Sequence, residues 1–190
     1  SPSKEINIDY KSVADYLVTS ARHNTDLGGF AQAKNDPLKM TGSFDFTGIR
    51  IKFYKMDSSS NKLFIKIINI SDSTQFFDAI DSRLYLCLQA KDKDSEWKNI
   101  ERYPRSWCGN SYHVLKLEPR EYWELEAPRF QGCFKTKLRF KLLTLEKEPE
   151  KWEGNSKTNE IYSEPFDGSI NPAQFWREER HYSSNLMDAS

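Results

Sequence analysis

No apolar run in the chain approaches the roughly 20 residues that cross a bilayer, so no transmembrane segment is expected. Metal-ligand spacing is missing as well. There is no CxxC or HxxxH, and His23, His113 and His181 are scattered. Asp92, Asp94 and Glu96 form an acidic run, but it lacks the glycine and the distant glutamate of a calcium loop and reads as a charged hairpin turn. Net charge is absent too: 28 Lys plus Arg balance 28 Asp plus Glu. That balance argues against general binding to nucleic acid or an acidic membrane, because such attraction scales with the cations offered to phosphates. Gly109-Asn110-Ser111-Tyr112-His113 has the start of a nucleophile elbow, but His113 stands where the final glycine belongs, and no helix pattern follows. No cofactor and no metal are expected.

Aromatic residues, by contrast, are plentiful: 12 Phe, 9 Tyr and 5 Trp. They suit pleated, half-buried surfaces and point to an all-β core. The clearest local pattern lies at 134–142, where Phe134, Thr136, Leu138, Phe140 and Leu142 alternate with Lys135, Lys137, Arg139 and Lys141. Period two marks a strand with one buried and one wet face. If 121–127 and 134–142 form a hairpin, one register sets Glu126 against Lys135 and Glu124 against Lys137. The cations are then half of a charge-matched ladder, contributing roughly 0.2–1 kcal/mol per pair, rather than a polyanion site.

Elsewhere, Ile6, Ile8 and Tyr10 suit a short strand, while Val13, Tyr16, Leu17 and Ser20 have helical spacing and predict a helix over 12–21. Segments 49–56 and 62–70 flank the turn residues Asp57-Ser-Ser-Ser-Asn61 and predict a hairpin. The strand KLFIKIINI is apolar on both faces, as a covered central strand would be. Further strands are expected at 83–89, 97–101, 111–117, 121–127 and 134–146. The polar stretch 147–160 reads as a loop, from which Ile161-Tyr162 returns to the sheet. About eight strands with regularly spaced turns predict an antiparallel β-sandwich. The expected division is an N-terminal segment with a short helix (1–42), a β-sandwich domain (43–163) and an irregular C-terminal tail (164–190).

The stretch NKLFIKIINISDSTQFFDAIDSRLYLCL resembles the middle of an immunoglobulin-like β-sandwich, and EPREYWELEAPRFQGCFKTKLRFKL resembles its closing hairpin. Modules of this kind in uncharacterised bacterial cell-envelope proteins are similar to about half of the chain. The resemblance implies a fold more than a function. An extracytoplasmic location (periplasm, cell surface or secreted) is the matching expectation. The opening SPSKEINIDY, without Met, reads as a trimmed chain and leaves room for a removed leader or lipid anchor.

Three groups of residues are candidates for chemistry. A hairpin of 111–118 with 121–127 would place Cys108 opposite residue 131 and bring it near Cys133, a disulfide pairing worth roughly 3 kcal/mol. Cys87 reads as an inert core residue. Cys108 and His113 raise a thiol–imidazole hydrolase, but nothing supplies the helix N-terminus or fixed cation that lowers a thiol pKa. Trp107, Trp152, Tyr103 and Arg105 lie by turns or in polar loops, where rings suit sugar stacking or a protein contact. The expected function is a non-catalytic binding or interaction module for an unknown protein or glycan partner. A carbohydrate-binding module using loop aromatics is the alternative.

Overall fold

The computed structural model describes residues 6–18, 36–37, 48–57, 62–149 and 157–177. Within them the chain forms β1 (Ser12–Val13), β2 (Asp36–Pro37), β3 (Ile49–Asp57), β4 (Lys62–Asn69), β5 (Gln75–Ile80), β6 (Arg83–Leu84) and β7 (Leu86–Lys91). It continues with β8 (Trp97–Asn99), β9 (Glu101–Arg102), β10 (Tyr112–Leu117), β11 (Glu121–Pro128), β12 (Phe134–Leu145), β13 (Thr158–Tyr162) and β14 (Phe166–Ile170). The fold is all-β and almost wholly antiparallel. The larger sheet runs β10-β5-β12-β7-β8, with β6 beside β5 and with β13 and β14 on β12; the smaller runs β2-β11-β4-β3. Both contribute to one hydrophobic core, and the Phe77 ring of the first meets Trp123 of the second edge-on at 4.9 Å.

The alternating segment forms the long β12, with Leu138, Phe140 and Leu142 buried as its period requires. The hairpin of β3 with β4 is present, and β4 lies between β3 and β11 as its two apolar faces suggest. Strand 83–89 is broken at Tyr85 into β6 and β7. The connection at Lys91–Ser95 turns β7 into β8 through Asp92, whose carboxylate accepts the Asp94 and Glu96 amides at 2.9 Å each and holds Lys98 at 2.5 Å. That carboxylate is committed to the turn.

Three expectations fail for identifiable reasons. Residues 12–18 are extended, not helical: Ala14, Tyr16 and Val18 are buried on alternate positions while Val13 and Leu17 face out. Tertiary hydrogen bonds override the helical spacing here, from Ala14 N–H to Arg102 O (2.8 Å), Leu84 N–H to Tyr16 O (3.0 Å) and Val18 N–H to Ser82 O (2.9 Å). The remainder of the expected helix, 19–21, lies outside the described residues. Of the first expected strand, Ile6 makes only an isolated parallel bridge to Phe130.

The second correction concerns the hairpins at both ends of β11. Strand β11 pairs with β4 in the smaller sheet, whereas β10 and β12 belong to the larger one. The chain therefore crosses between sheets at both ends of β11. At the second crossing Gly132 passes so close to Ile170 that a Cβ would lie 2.1 Å from its carbonyl carbon, a fit only glycine allows. Glu126 is ion-paired with Lys62, and Glu124 with Lys66 at 3.7 Å. On β12, Lys137 pairs with Asp167 (2.8 Å) and Lys141 with Glu160 (2.5 Å). The charges are matched, but by other strands. The hairpin that would draw Cys108 toward Cys133 is not made, and Cys87, Cys108 and Cys133 are all free.

The third concerns the tail. Residues 166–170 form β14, and Pro172–Phe175 form a 3-10 turn capped by Asn171. Across β13 and β14 the pairing with β12 slips by one residue, from Lys141 facing Tyr162 to Leu138 facing Phe166. Ser163 bridges the slip: its hydroxyl accepts Phe140 N–H at 2.9 Å, and its own N–H donates to Phe140 O at 3.0 Å. Beyond β14 the chain meets its beginning, with Arg177 paired to Asp9 and its carbonyl accepting Lys11 N–H at 2.7 Å.

Asn69, the first residue of the Asn69-Ile70-Ser71 sequon, is fully buried. Its amide donates to Ser73 O (2.8 Å) and to Leu117 O of the other sheet (2.9 Å), and its oxygen accepts Ser71 N–H at 3.0 Å. The residue staples the two sheets together, and its burial closes the site to glycosylation in the folded chain.

Candidate functional site

Between β9 and β10 runs a loop, Tyr103 to Ser111, that carries most of the residues singled out from sequence. It is held chiefly by itself. Ser106 Oγ donates to Ser111 Oγ (3.0 Å) and accepts Cys108 N–H (3.1 Å), and the Tyr112 hydroxyl donates to Ser106 O at 2.8 Å. A single 3-10 turn, Gly109–Ser111, closes it. From this frame Trp107 projects with 98 % of its surface exposed, and Arg105 is exposed two residues away.

Tyr103 has a different place. It packs on the outer face of the larger sheet, its ring 5.8 Å from Tyr85 and its hydroxyl buried beside the Cys87 thiol. Burial pushes its pKa up, and that of the Cys87 thiol to about 12, so both stay protonated. Tyr103 is thus the root of the loop rather than part of its tip. Trp152 lies outside the described residues. Trp107 and Arg105 are both exposed on the loop, whereas Tyr103 is partly buried at its root.

Cys108 and His113 are not joined. His113 Nδ1 donates to Ser111 O at 3.1 Å, and Nε2 lies 3.4 Å from Ser82 Oγ. Both ring nitrogens are thereby occupied by groups other than the thiol.

Sequence reasoning missed a buried acid beneath the loop's entry. Glu101 is buried, accepting the Tyr16 hydroxyl at 2.5 Å and Leu88 N–H at 2.8 Å on one oxygen. Desolvation raises its pKa from 4.5 to about 7, against the lowering effect of those two hydrogen bonds. The same burial, with Glu101 alongside, pushes the Tyr16 hydroxyl well above its usual range. Nothing in NIERYP signals this, because a lone Glu in a short strand normally faces water.

A cleft of about 580 Å³ also opens between β3 and the β13–β14 edge, lined by Ile49, Ile51, Phe53 and Phe166 with Arg50, Lys52 and Glu164 at its polar side. Phe53 and Phe166 stack across its floor with centroids 5.5 Å apart. Among the described residues no group of His, Cys, Asp and Glu is placed to hold a metal ion, and no helix is long and apolar enough to cross a membrane. No protein-family model matches this chain, and no curated protein or solved structure is detectably similar to it.

Proposed function

We propose that the chain is a non-catalytic binding module of immunoglobulin-like β-sandwich architecture, exported to the cell envelope, whose contact point is the tip of the 103–111 loop. The observation that carries this reading is Trp107, almost wholly exposed on a loop made firm by its own hydrogen bonds. Keeping an indole in water is costly: burying a side chain of that size on a partner releases roughly 2–3 kcal/mol. Because the loop is already ordered, little conformational entropy is lost on docking. Arg105, exposed two residues away on the same loop, supplies a charge-assisted donor, and Trp and Arg are the residue types enriched at interface hot spots. Export rests on the cell-envelope resemblance alone and is tested by fractionating cells that express the full gene product.

A peptide library panned against the wild-type protein should return sequences whose binding is lost in Trp107→Ala and weakened in Arg105→Ala. Selected peptides that bind Trp107→Ala unchanged would place the contact point elsewhere. The second reading, a carbohydrate-binding module, is favoured by the flat, solvent-facing indole with polar neighbours. A glycan-array signal abolished by Trp107→Ala would select it.

A further inference from the structure

Of the four cations on the outward face of β12, Arg139 has the most elaborate setting. Its guanidinium carbon lies 4.3 Å from the centre of the Trp97 ring on one side and 3.9 Å from Tyr162 on the other. Those rings come from β8 and β13, strands on opposite sides of β12. The Nε–H donates to Gln89 Oε1 at 2.8 Å, and Gln89 is itself held by donating to Asn99 Oδ1 at 2.7 Å. Tyr162 is fixed in turn by its hydroxyl bond to Glu160, which also binds Lys141.

Lys137 and Lys141 have carboxylate partners, at Asp167 and Glu160. Among the described residues Arg139 has no carboxylate at ion-pair distance, and no hydrogen bond engages its two terminal nitrogens; Glu160, already bonded to Lys141 and Tyr162, acts on it only through space. A guanidinium fixed through Nε and flanked by rings presents Nη1 and Nη2 as a ready fork, matching the two oxygens of a carboxylate. The usual entropy cost of ordering a long arginine side chain has already been met in the fold. Lys91, 5.6 Å from the Trp97 ring centre, adds positive charge on the same face.

We propose that the Arg139 fork, between Trp97 and Tyr162, is a binding site for a carboxylate group, borne by a small organic acid or by a uronic sugar. This site is on the outer sheet face and stands apart from the reading of the 103–111 loop. A Trp107→Ala variant should bind carboxylate as wild type does.

The test is NMR titration of the 15N-labelled full chain with acetate, glucuronate and inorganic sulfate at matched ionic strength. Saturable shifts centred on the Arg139 side chain and the Trp97 indole N–H are expected with acetate or glucuronate. Glucuronate binding more tightly than acetate identifies a sugar source; equal affinities identify a simple acid. Arg139→Lys keeps the charge but removes the fork and should weaken carboxylate binding about tenfold or more. Gln89→Leu should weaken it by a smaller factor, through loss of the Nε anchor. Melting curves on both variants establish that they fold. The proposal is overturned if no shift saturates, if sulfate displaces carboxylate with equal affinity in Arg139→Lys, or if the responding residues lie away from Trp97 and Tyr162.

Discussion

The extended segment 12–18 and the loop 103–111 are both short, irregular pieces joined to the same strand, β9, yet they are secured in opposite ways. The first places Ala14, Tyr16 and Val18 in the core and ties Tyr16 to a buried glutamate. The second is braced by Ser106, Ser111 and Tyr112 and gives its largest side chain to solvent. The contrast separates two roles. Changes in the segment should cost folding stability, whereas changes at the loop tip should cost binding and leave the fold alone.

The strongest challenge to this division is Tyr16→Ala. It removes a fully buried ring and the Glu101 hydrogen bond, so a loss of about 4 kcal/mol in chemical denaturation is expected. A loss below about 1 kcal/mol would mean the segment is not part of the cooperative core. Next comes pH. Because the folded pKa of Glu101 is raised, its contribution is complete below pH 4.5 and declines as pH rises through about 7. The raise corresponds to roughly 3 kcal/mol at most. Denaturation midpoints should therefore fall between pH 5 and pH 8, and Glu101→Gln should flatten that profile and be the more stable form at pH 8. An unchanged slope in Glu101→Gln would assign the pH dependence to other groups. Within the loop, Ser106→Ala should cost about 1 kcal/mol, since it breaks the brace while a neighbouring network remains. Trp107→Ala should change stability by less than about 0.5 kcal/mol, measurable as an unchanged midpoint. A large effect there would show that the indole packs in solution.

How far the sequence reveals this arrangement depends on the kind of information asked of it. Alternation places Leu138, Phe140 and Leu142 inward because burial of one sheet face leaves a period-two imprint. Asp57 to Asn61 marks the β3–β4 hairpin because turn chemistry is local. Partner choice is neither periodic nor local. Glu124 and Glu126 complement Lys135 and Lys137 on paper, and equally complement Lys66 and Lys62, which they meet. Opposite charges do not identify their mates, so charge matching does not place β11 beside β12, and Cys108 is not drawn toward Cys133. Strand β14 was hidden for another reason: Asp167 and Gly168 are poor strand formers, and the segment is held by pairing with β12 rather than by propensity. Of the candidate site, the turn-rich setting marks Trp107 as a loop residue, but a loop position alone does not distinguish an indole packed on the sheet edge from one left in water. The clamp on Arg139 leaves no such local mark, since its rings come from strands 42 residues before and 23 residues after it in the chain.

The irregular pairing beside β12 has a bearing on how copies of the molecule treat one another. The β13–β14 edge and the β3 edge, which flank the same cleft, each carry a break in register, at Ser163–Pro165 and at Phe53–Lys55. Pro165 further removes an amide donor. A foreign strand seeking an unbroken row of amides and carbonyls finds neither border suitable for templating, so the seam between the sheets resists edge-to-edge polymerisation at high local concentration.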